Sequence, residues 1–369
     1  MRMTACRWLM AAIAIAVLGT LARAQTPTPC DRGCLSGLLD GYLDALIARQ
    51  PSRLPLAPAA RFTENGQRLE LGDGLWHTVT GKGGYRLDIA DVEAGQAVLM
   101  GTIREADVPA ILVVRLGTVD RKIREIETLV IRNQGAAESL DRIGAPRTAW
   151  RTAVPEPERR SRDELVRVAN MYFSGIELND GRGAYPFQET CARLENGSVT
   201  AGDPALVLGT RAPATQGRAP AGCRQQFESG MFHYVTRIRD RRFVAVDRER
   251  GIVFAFAFFD NAAGEARNLT LRDGRKVVSG SSVPWTWQIA EAFKIERGLI
   301  GPVESVLHAV PYGMGSGWST WKPPCPAGPA ACSNAPGPKS PKCPKGPRGP
   351  GPDLWDLWDL LDLSDLLDP

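Results

Sequence analysis

The chain has 369 residues, of which 23% are charged and 43% hydrophobic, and its 45 basic and 41 acidic side chains leave a formal net charge of +4. That length accommodates two domains with proper cores, and the composition is that of an ordinary globular protein. Near-balanced charge, with no basic run interleaved with aromatics, argues against a nucleic-acid partner.

In chain order, the first feature is a leader. Arg2 and Arg7 flank the start of an apolar stretch from Trp8 to Leu21, and Ala22-Arg23-Ala24 supplies a small-residue cleavage site. The apolar run is too short for the ~20 residues that cross a bilayer, so residues 1–24 read as a signal peptide. The expected location is secreted or periplasmic, with no integral membrane segment after cleavage. Export permits disulfides. Cys191 and Cys223 bracket a long loop and are expected to pair; Cys30 and Cys34, four apart at the head of a helix, form a second pair if the local geometry allows. With no paired C-x-x-C and no neighbouring histidine, no metal site is expected.

Residues 30–50 carry apolar side chains at helical spacing, from Leu35 to Ile47, and Pro51 ends the pattern. A short strand is expected at Arg61–Thr63, a turn at Glu64–Gln67 and a short helix within Leu71–Val79. Four strands follow, Tyr85–Val92, Gln96–Arg104, Ala110–Thr118 and Ile123–Arg132. A proline-interrupted, charge-dense linker spans 134–160. A second helix, Arg162–Glu177, precedes strands at Arg242–Val246 and Ile252–Phe259. The latter is apolar on both faces, which requires cover on both. Beyond about Lys322 the sequence becomes Pro-Gly-Lys rich, then places Asp at every third position from Asp353 to Asp368, and residues 321–369 read as a low-complexity, disordered tail.

The order of these elements repeats because the sequence does. Gly74-Leu75-Trp76-His77-Thr78-Val79-Thr80 recurs as Gly230-Met231-Phe232-His233-Tyr234-Val235-Thr236, an offset of 230 − 74 = 156 that persists through Gly95 and Gly251. The offset is 131 upstream, where Glu64-Asn65-Gly66 matches Glu195-Asn196-Gly197, and 177 downstream, where Ile123 matches Ile300. The second copy therefore carries two insertions, near 200–226 and near 260–285. A period this long means tandem domains.

The helix, the Leu-Pro-x-x-Pro turn, Arg61-Phe62-Thr63-Glu64-Asn65-Gly66, Gly72-Asp73-Gly74-Leu75-Trp76 and the closing Lys122-Ile123-x-x-Ile126-Glu127 together resemble the SnoaL-like branch of the nuclear-transport-factor-2-like superfamily. The resemblance covers residues ~30–132 and, more loosely, ~162–318. Cys30-Asp31-Arg32-x-Cys34-Leu35 is also similar to a segment of uncharacterised secreted proteins. It implies an α+β fold of two tandem cone-shaped domains, 25–133 and 161–320. Each would be built of helices packed on a curved antiparallel sheet; the two apolar faces of Ile252–Phe259 add the expectation that the other copy's sheet covers one of them, in a pseudo-dimer. The resemblance also implies a pocket in each, used in different members for isomerisation, dehydration, hydrolysis or binding alone.

Candidate chemistry follows the repeat. His77 and His233 occupy one repeat position and are of a type that exchanges protons near neutral pH; the plainer reading is a helix-surface or capping histidine kept by ancestry. Tyr42 and Tyr172 lie on the helices; the resemblance implies that such a hydroxyl can polarise a carbonyl oxygen, and core packing with a satisfied hydroxyl is the plainer reading. Trp76 and Phe232, with Trp285 and Trp287, are expected to line a pocket for a small apolar molecule; Trp285 and Trp287 fit a place in the core equally well. Asp91, Glu93, Asp247 and Glu249 flank glycine turns and read as solvated carboxylates, as do Glu64 and Glu195. Glu127 and Glu304 face away from the helices, toward the other copy. With no G-x-S-x-G, G-x-G-x-x-G, Walker loop or H-E-x-x-H, no cofactor is expected. The function expected is an acid–base isomerase, dehydratase or hydrolase, or else a non-catalytic ligand-binding or interaction module.

Overall fold

The computed structural model describes residues 29–208, 220–262, 267–279 and 283–319. The leader of residues 1–24 and the tail of 321–369 lie outside the described residues.

The first half opens with helix α1 (Arg32–Ile47), whose start is capped by the Asp31 carboxylate accepting the Cys34 N–H at 2.8 Å. Then come β1 (Leu56–Glu64), β2 (Gln67–Leu69), the single-turn helix α2 (Leu75–Thr78), β3 (Val79–Asp91), β4 (Gln96–Glu105), β5 (Val108–Val119), β6 (Lys122–Ile131) and helix α3 (Gln134–Ile143). The second half repeats this with α4 (Arg162–Leu178), β7 (Arg193–Glu195), β8 (Ser198–Ala201), α5 (Pro204–Leu208), α6 (Cys223–Ser229), β9 (Arg237–Asp247), β10 (Ile252–Asn261), an inserted hairpin of β11 (Arg267–Thr270) and β12 (Lys276–Ser279), β13 (Trp285–Glu296) and β14 (Leu299–Val310). The two large sheets have strand orders β2-β1-β6-β5-β4-β3 and β8-β7-β14-β13-β10-β9, which is one topology written twice.

The register repeats at the offsets in the sequence. Asp91 pairs with Gln96 in the first half and Asp247 with Ile252 in the second; Arg115 pairs with Glu127 and Ala292 with Glu304. Asn65-Gly66 and Asn196-Gly197 form matching hairpin turns, with φ of 47° and 81° in one and 46° and 77° in the other. Asn tolerates that region and Gly occupies it freely, which is the chemistry a two-residue hairpin loop requires. Each Asn side chain also bonds into the last strand of its sheet, Asn65 to Val130 and Asn196 to Leu307.

The architecture corrects the expectation of cones made from helices on a curved antiparallel sheet. Strand dominates both halves, and each large sheet is mixed, because β1 runs parallel to β6 and β7 parallel to β14. The physical reason is local. Most neighbouring strands within each sheet are joined by tight turns, such as Ala106-Asp107 and Asp120-Arg121 with φ above 45°, which leave no chain for helices between those strands. One long helix lies on one face of each sheet, α1 in the first half and α4 in the second, and each forms a core with its own strands. A third core fills the space between the sheets, where Leu87, Ile89, Val98 and Val113 of the first meet Ala245, Phe254, Phe256 and Val306 of the second. The two faces of β10 thus serve two cores, Phe254 and Phe256 in one, Ala255, Ala257 and Phe259 in the other. Both sheets lie in one compact unit.

The segment read as a linker contains α3, capped by the Asn133 side chain on the Ala136 N–H and buried through Ala137, Leu140 and Ile143. After β14 the chain plays the corresponding part without a helix. Residues 313–318 pass over the Asn65-Gly66 turn, with the Gly317 N–H donating to the Gly66 carbonyl at 2.7 Å. Trp318 donates its indole N–H to Thr63 at 2.8 Å and is flanked by the guanidinium groups of Arg61 and Arg115, 3.9 and 4.7 Å from its ring centre. Among the described residues no helix is long and apolar enough to cross a membrane.

Candidate functional site

The second half holds a cavity of about 250 Å³ between α4 and the face of its sheet. Phe232, Tyr234, Phe259, Trp287, Ile289 and Leu307 make the apolar wall, and Tyr172, Arg193, Glu195 and Glu291 the polar end. The sequence builds this from strands β7, β8, β10, β13 and β14 and helix α4. On β13, Trp287, Ile289 and Glu291 are spaced by two and so share the face turned to α4. On β7, Arg193 and Glu195 do the same. Tyr172 projects from the buried side of α4 with Leu165, Val168, Ala169 and Ile176.

The polar end is closely engaged. The Arg193 guanidinium is buried and every nitrogen of it has a partner: Nη1 donates to the Tyr172 hydroxyl at 3.1 Å, Nη2 to Gln226 Oε1 at 2.8 Å, and Nε lies 3.0 Å from Thr200 Oγ1 and 3.1 Å from Glu195 Oε1. Burial, and then the neighbouring Glu195 carboxylate, push the Glu291 carboxyl up to about 8, against the opposing pull of Arg193 and the Tyr172 hydroxyl. Burial likewise holds the Tyr172 hydroxyl well above the ordinary tyrosine value, so it stays protonated. At neutral pH the pocket therefore presents a neutral carboxyl, a phenol, and an arginine balanced by Glu195.

The corresponding place in the first half is filled. The offsets of 131 and 177 put Phe62 opposite Arg193 and Val114 opposite Glu291, and both are buried in the core with Tyr42 and Trp76. Tyr42 packs edge-on against Trp76 at 5.7 Å, and burial followed by the Glu64 charge pushes its hydroxyl far up. Glu64 is no turn carboxylate at the surface: it is buried and accepts the Leu75 N–H at 2.8 Å, at the start of α2.

Of the residues singled out by sequence, Tyr172, Phe232 and Trp287 line the cavity. Trp285 lies beyond it, edge-on to Trp287 at 4.4 Å. Trp76 is core. The two histidines occupy matching places after positive-φ glycines, Gly74 and Gly230, but neither lines the cavity. His77 is 71% exposed and sits 3.5 Å from Asp73. The ring nitrogens of His233 are buried without hydrogen-bond partners, and its ring lies edge-on to Tyr234. Both disulfides form, Cys30–Cys34 and Cys191–Cys223. Asp91 and Asp247 are buried rather than solvated, and each is clamped by an arginine of the other half. Glu127 and Glu304 do reach across: Arg242 bonds to Glu127, and the Tyr85 hydroxyl donates to Glu304 at 2.8 Å. Among the described residues no group of three His, Cys, Asp or Glu side chains is placed to hold a metal ion.

Sequence reasoning passed over Arg193 and Glu291, the two residues that make the pocket polar. The signal lay in comparing the copies, where a charged residue replaces Phe62 or Val114 at a core-facing strand position.

A family model described as a domain of unknown function (DUF8021) matches residues 158–307, a span that contains every residue lining the cavity. No curated protein matches the chain. Among solved structures, a de novo designed protein with a curved β-sheet aligns at 12% identity over 40% of this chain and 88% of that one, with a TM-score of 0.23.

Proposed function

We propose that the second half binds a small, neutral, flat molecule with one acceptor oxygen and moves a proton on it, as an isomerase, dehydratase or hydrolase does. The observation that carries this is the Tyr172 hydroxyl held between Arg193 and Glu291, whose carboxyl burial pushes up to about 8, at the end of an aromatic cavity. A carboxyl tuned near the working pH both takes and returns a proton, and a phenol beside it stabilises charge developing on a carbonyl oxygen. Charge selects the ligand class: Arg193 is already matched by Glu195, so an anionic ligand finds no free positive partner there. The proton carrier in this reading is Glu291, with Tyr172 as polariser, in place of His77 or His233. The first half acts as scaffold. Two disulfides and the leader-like N-terminus support action outside the cytoplasm, and the SnoaL-like resemblance supports a pocket used for acid–base chemistry.

The test is proton exchange. Wild-type protein is incubated in heavy water with a panel of neutral cyclic ketones, and deuterium incorporation beside the carbonyl is followed by NMR. Exchange catalysed by the wild type and reduced at least ~100-fold in Glu291→Gln supports the reading. A wild type that binds such ketones without exchanging protons makes the pocket a binding module, the second reading, which the aromatic wall favours on its own.

A further inference from the structure

The pocket-bearing half differs from its twin by more than two side chains. Between the β7–β8 hairpin and Gly230 it carries the first insertion, which raises the offset from 131 to 156. That insertion ends in α6, and α6 points two residues at the site. Gln226 accepts from Arg193 Nη2 at 2.8 Å through Oε1, while its Nε2 donates to the carbonyls of Thr200 and Ala221 at 2.5 and 3.2 Å. Its amide is therefore oriented by two backbone acceptors, so that only the oxygen faces the guanidinium. Phe227 drives into the core against Tyr172, Phe187 and Phe232, with ring centres 5.2, 4.8 and 5.1 Å away. Gly175 of α4 makes the room, since a Cβ there would stand 2.8 Å from the Phe227 ring. The Cys191–Cys223 bridge joins the first residue of α6 to a point two residues before Arg193. Where the first half has Phe62, needing no such support, no insertion occurs.

We propose that Gln226 and the Cys191–Cys223 disulfide are positioning residues, which hold the Arg193 guanidinium against Tyr172 and so assemble the polar end of the pocket. This deepens the reading of the second half as a ligand site and rests on it for its purpose, though not for its geometry. A buried arginine with an unmet nitrogen is costly and would swing toward Glu195 or solvent. Gln226 supplies the fourth partner, and the disulfide ties the start of α6 to the chain two residues before Arg193.

The experiment compares wild type with Gln226→Met, which keeps volume and the disulfide, and with the double variant Cys191→Ser/Cys223→Ser. Two readouts are taken. One is binding of prodan, a neutral naphthalene ketone whose emission shifts to the blue in apolar surroundings. The other is titration of the Glu291 carboxyl carbon by NMR, which senses Arg193 without any ligand. The expected result is at least ~10-fold weaker prodan binding in both variants, together with an upward move of the Glu291 midpoint from its wild-type value as the guanidinium charge withdraws. A Glu291 midpoint unchanged in Gln226→Met overturns the positioning role, whatever happens to binding. Failure of the wild type to bind prodan, with the midpoint still moving in the variants, leaves the positioning role standing and counts against the ligand-site reading instead.

Discussion

Arg32 of the first half and Asp247 of the second form a two-pronged ion pair, with guanidinium nitrogens 2.7 and 2.8 Å from the two carboxylate oxygens. Its counterpart joins Arg162, at the head of α4, to Asp91 at 2.7 Å, and Asp91 also accepts the Val246 N–H at 2.8 Å. Each helix start is thus tied to the other half's β-hairpin. Both aspartates are buried, so neutralising one leaves an arginine facing an uncharged amide. Asp247→Asn and Asp91→Asn should each lower unfolding stability by about 3 kcal/mol, measured by denaturant titration. A loss below about 0.5 kcal/mol would show that the exchange of arginines contributes little to joining the halves.

Trp318 fastens the chain end of the second half onto the first. Replacing it with Ala removes the bond to Thr63 and two guanidinium contacts. The expected cost is about 1–2 kcal/mol, with faster hydrogen exchange at the Gly317 amide, which bonds to Gly66. Unchanged exchange at Gly317 would mean that the strap is held by its backbone alone.

The duplication was legible because glycine turns and hairpin registers leave fixed spacings in the sequence; the offsets of 131, 156 and 177 each reappear as paired strands. The cover for both faces of Ile252–Phe259 was legible from its unbroken apolar run. The amount of helix was not, because a resemblance of motifs does not count strands, and α3 was hidden by the prolines and charges around it although Asn133 and Gly144 mark its ends. The site was half legible. Tyr172 and Phe232 stood out as aromatics at repeat positions, and Trp287 as one of two tryptophans spaced by two on an expected strand. Arg193 and Glu291 did not, since a charged residue in a strand reads as solvent-facing until the register places it beneath a helix. Histidine chemistry drew attention to His77, but a single-turn helix aims that ring at water.

Buried carboxyls set the pH response. Burial and Glu195 raise Glu291 to about 8, and burial, opposed by the bond from Tyr85, raises Glu304 to about 7, from an ordinary value of 4.5. The folded state binds these protons more tightly than the unfolded state does. Their contribution is therefore complete below about pH 4.5 and is lost as pH rises through 7 for Glu304 and 8 for Glu291. Denaturation midpoints followed from pH 5 to 9 should fall across that window, and the fall should be shallower in Glu291→Gln. A slope that is the same in the variant would place the Glu291 carboxyl in an ordinary, ionised state.

Confinement of the ligand site to the second half is read most directly from the tryptophan indole N–H signals on titration with prodan. Trp287 lines the cavity, whereas Trp76 is packed in the first half's core with Phe62 and Val114. The expected result is a saturable shift of the Trp287 signal with Trp76 unmoved. Movement of Trp76 in place of Trp287, or saturable binding that shifts neither, would contradict the assignment of the pocket to the half that carries Arg193 and Glu291.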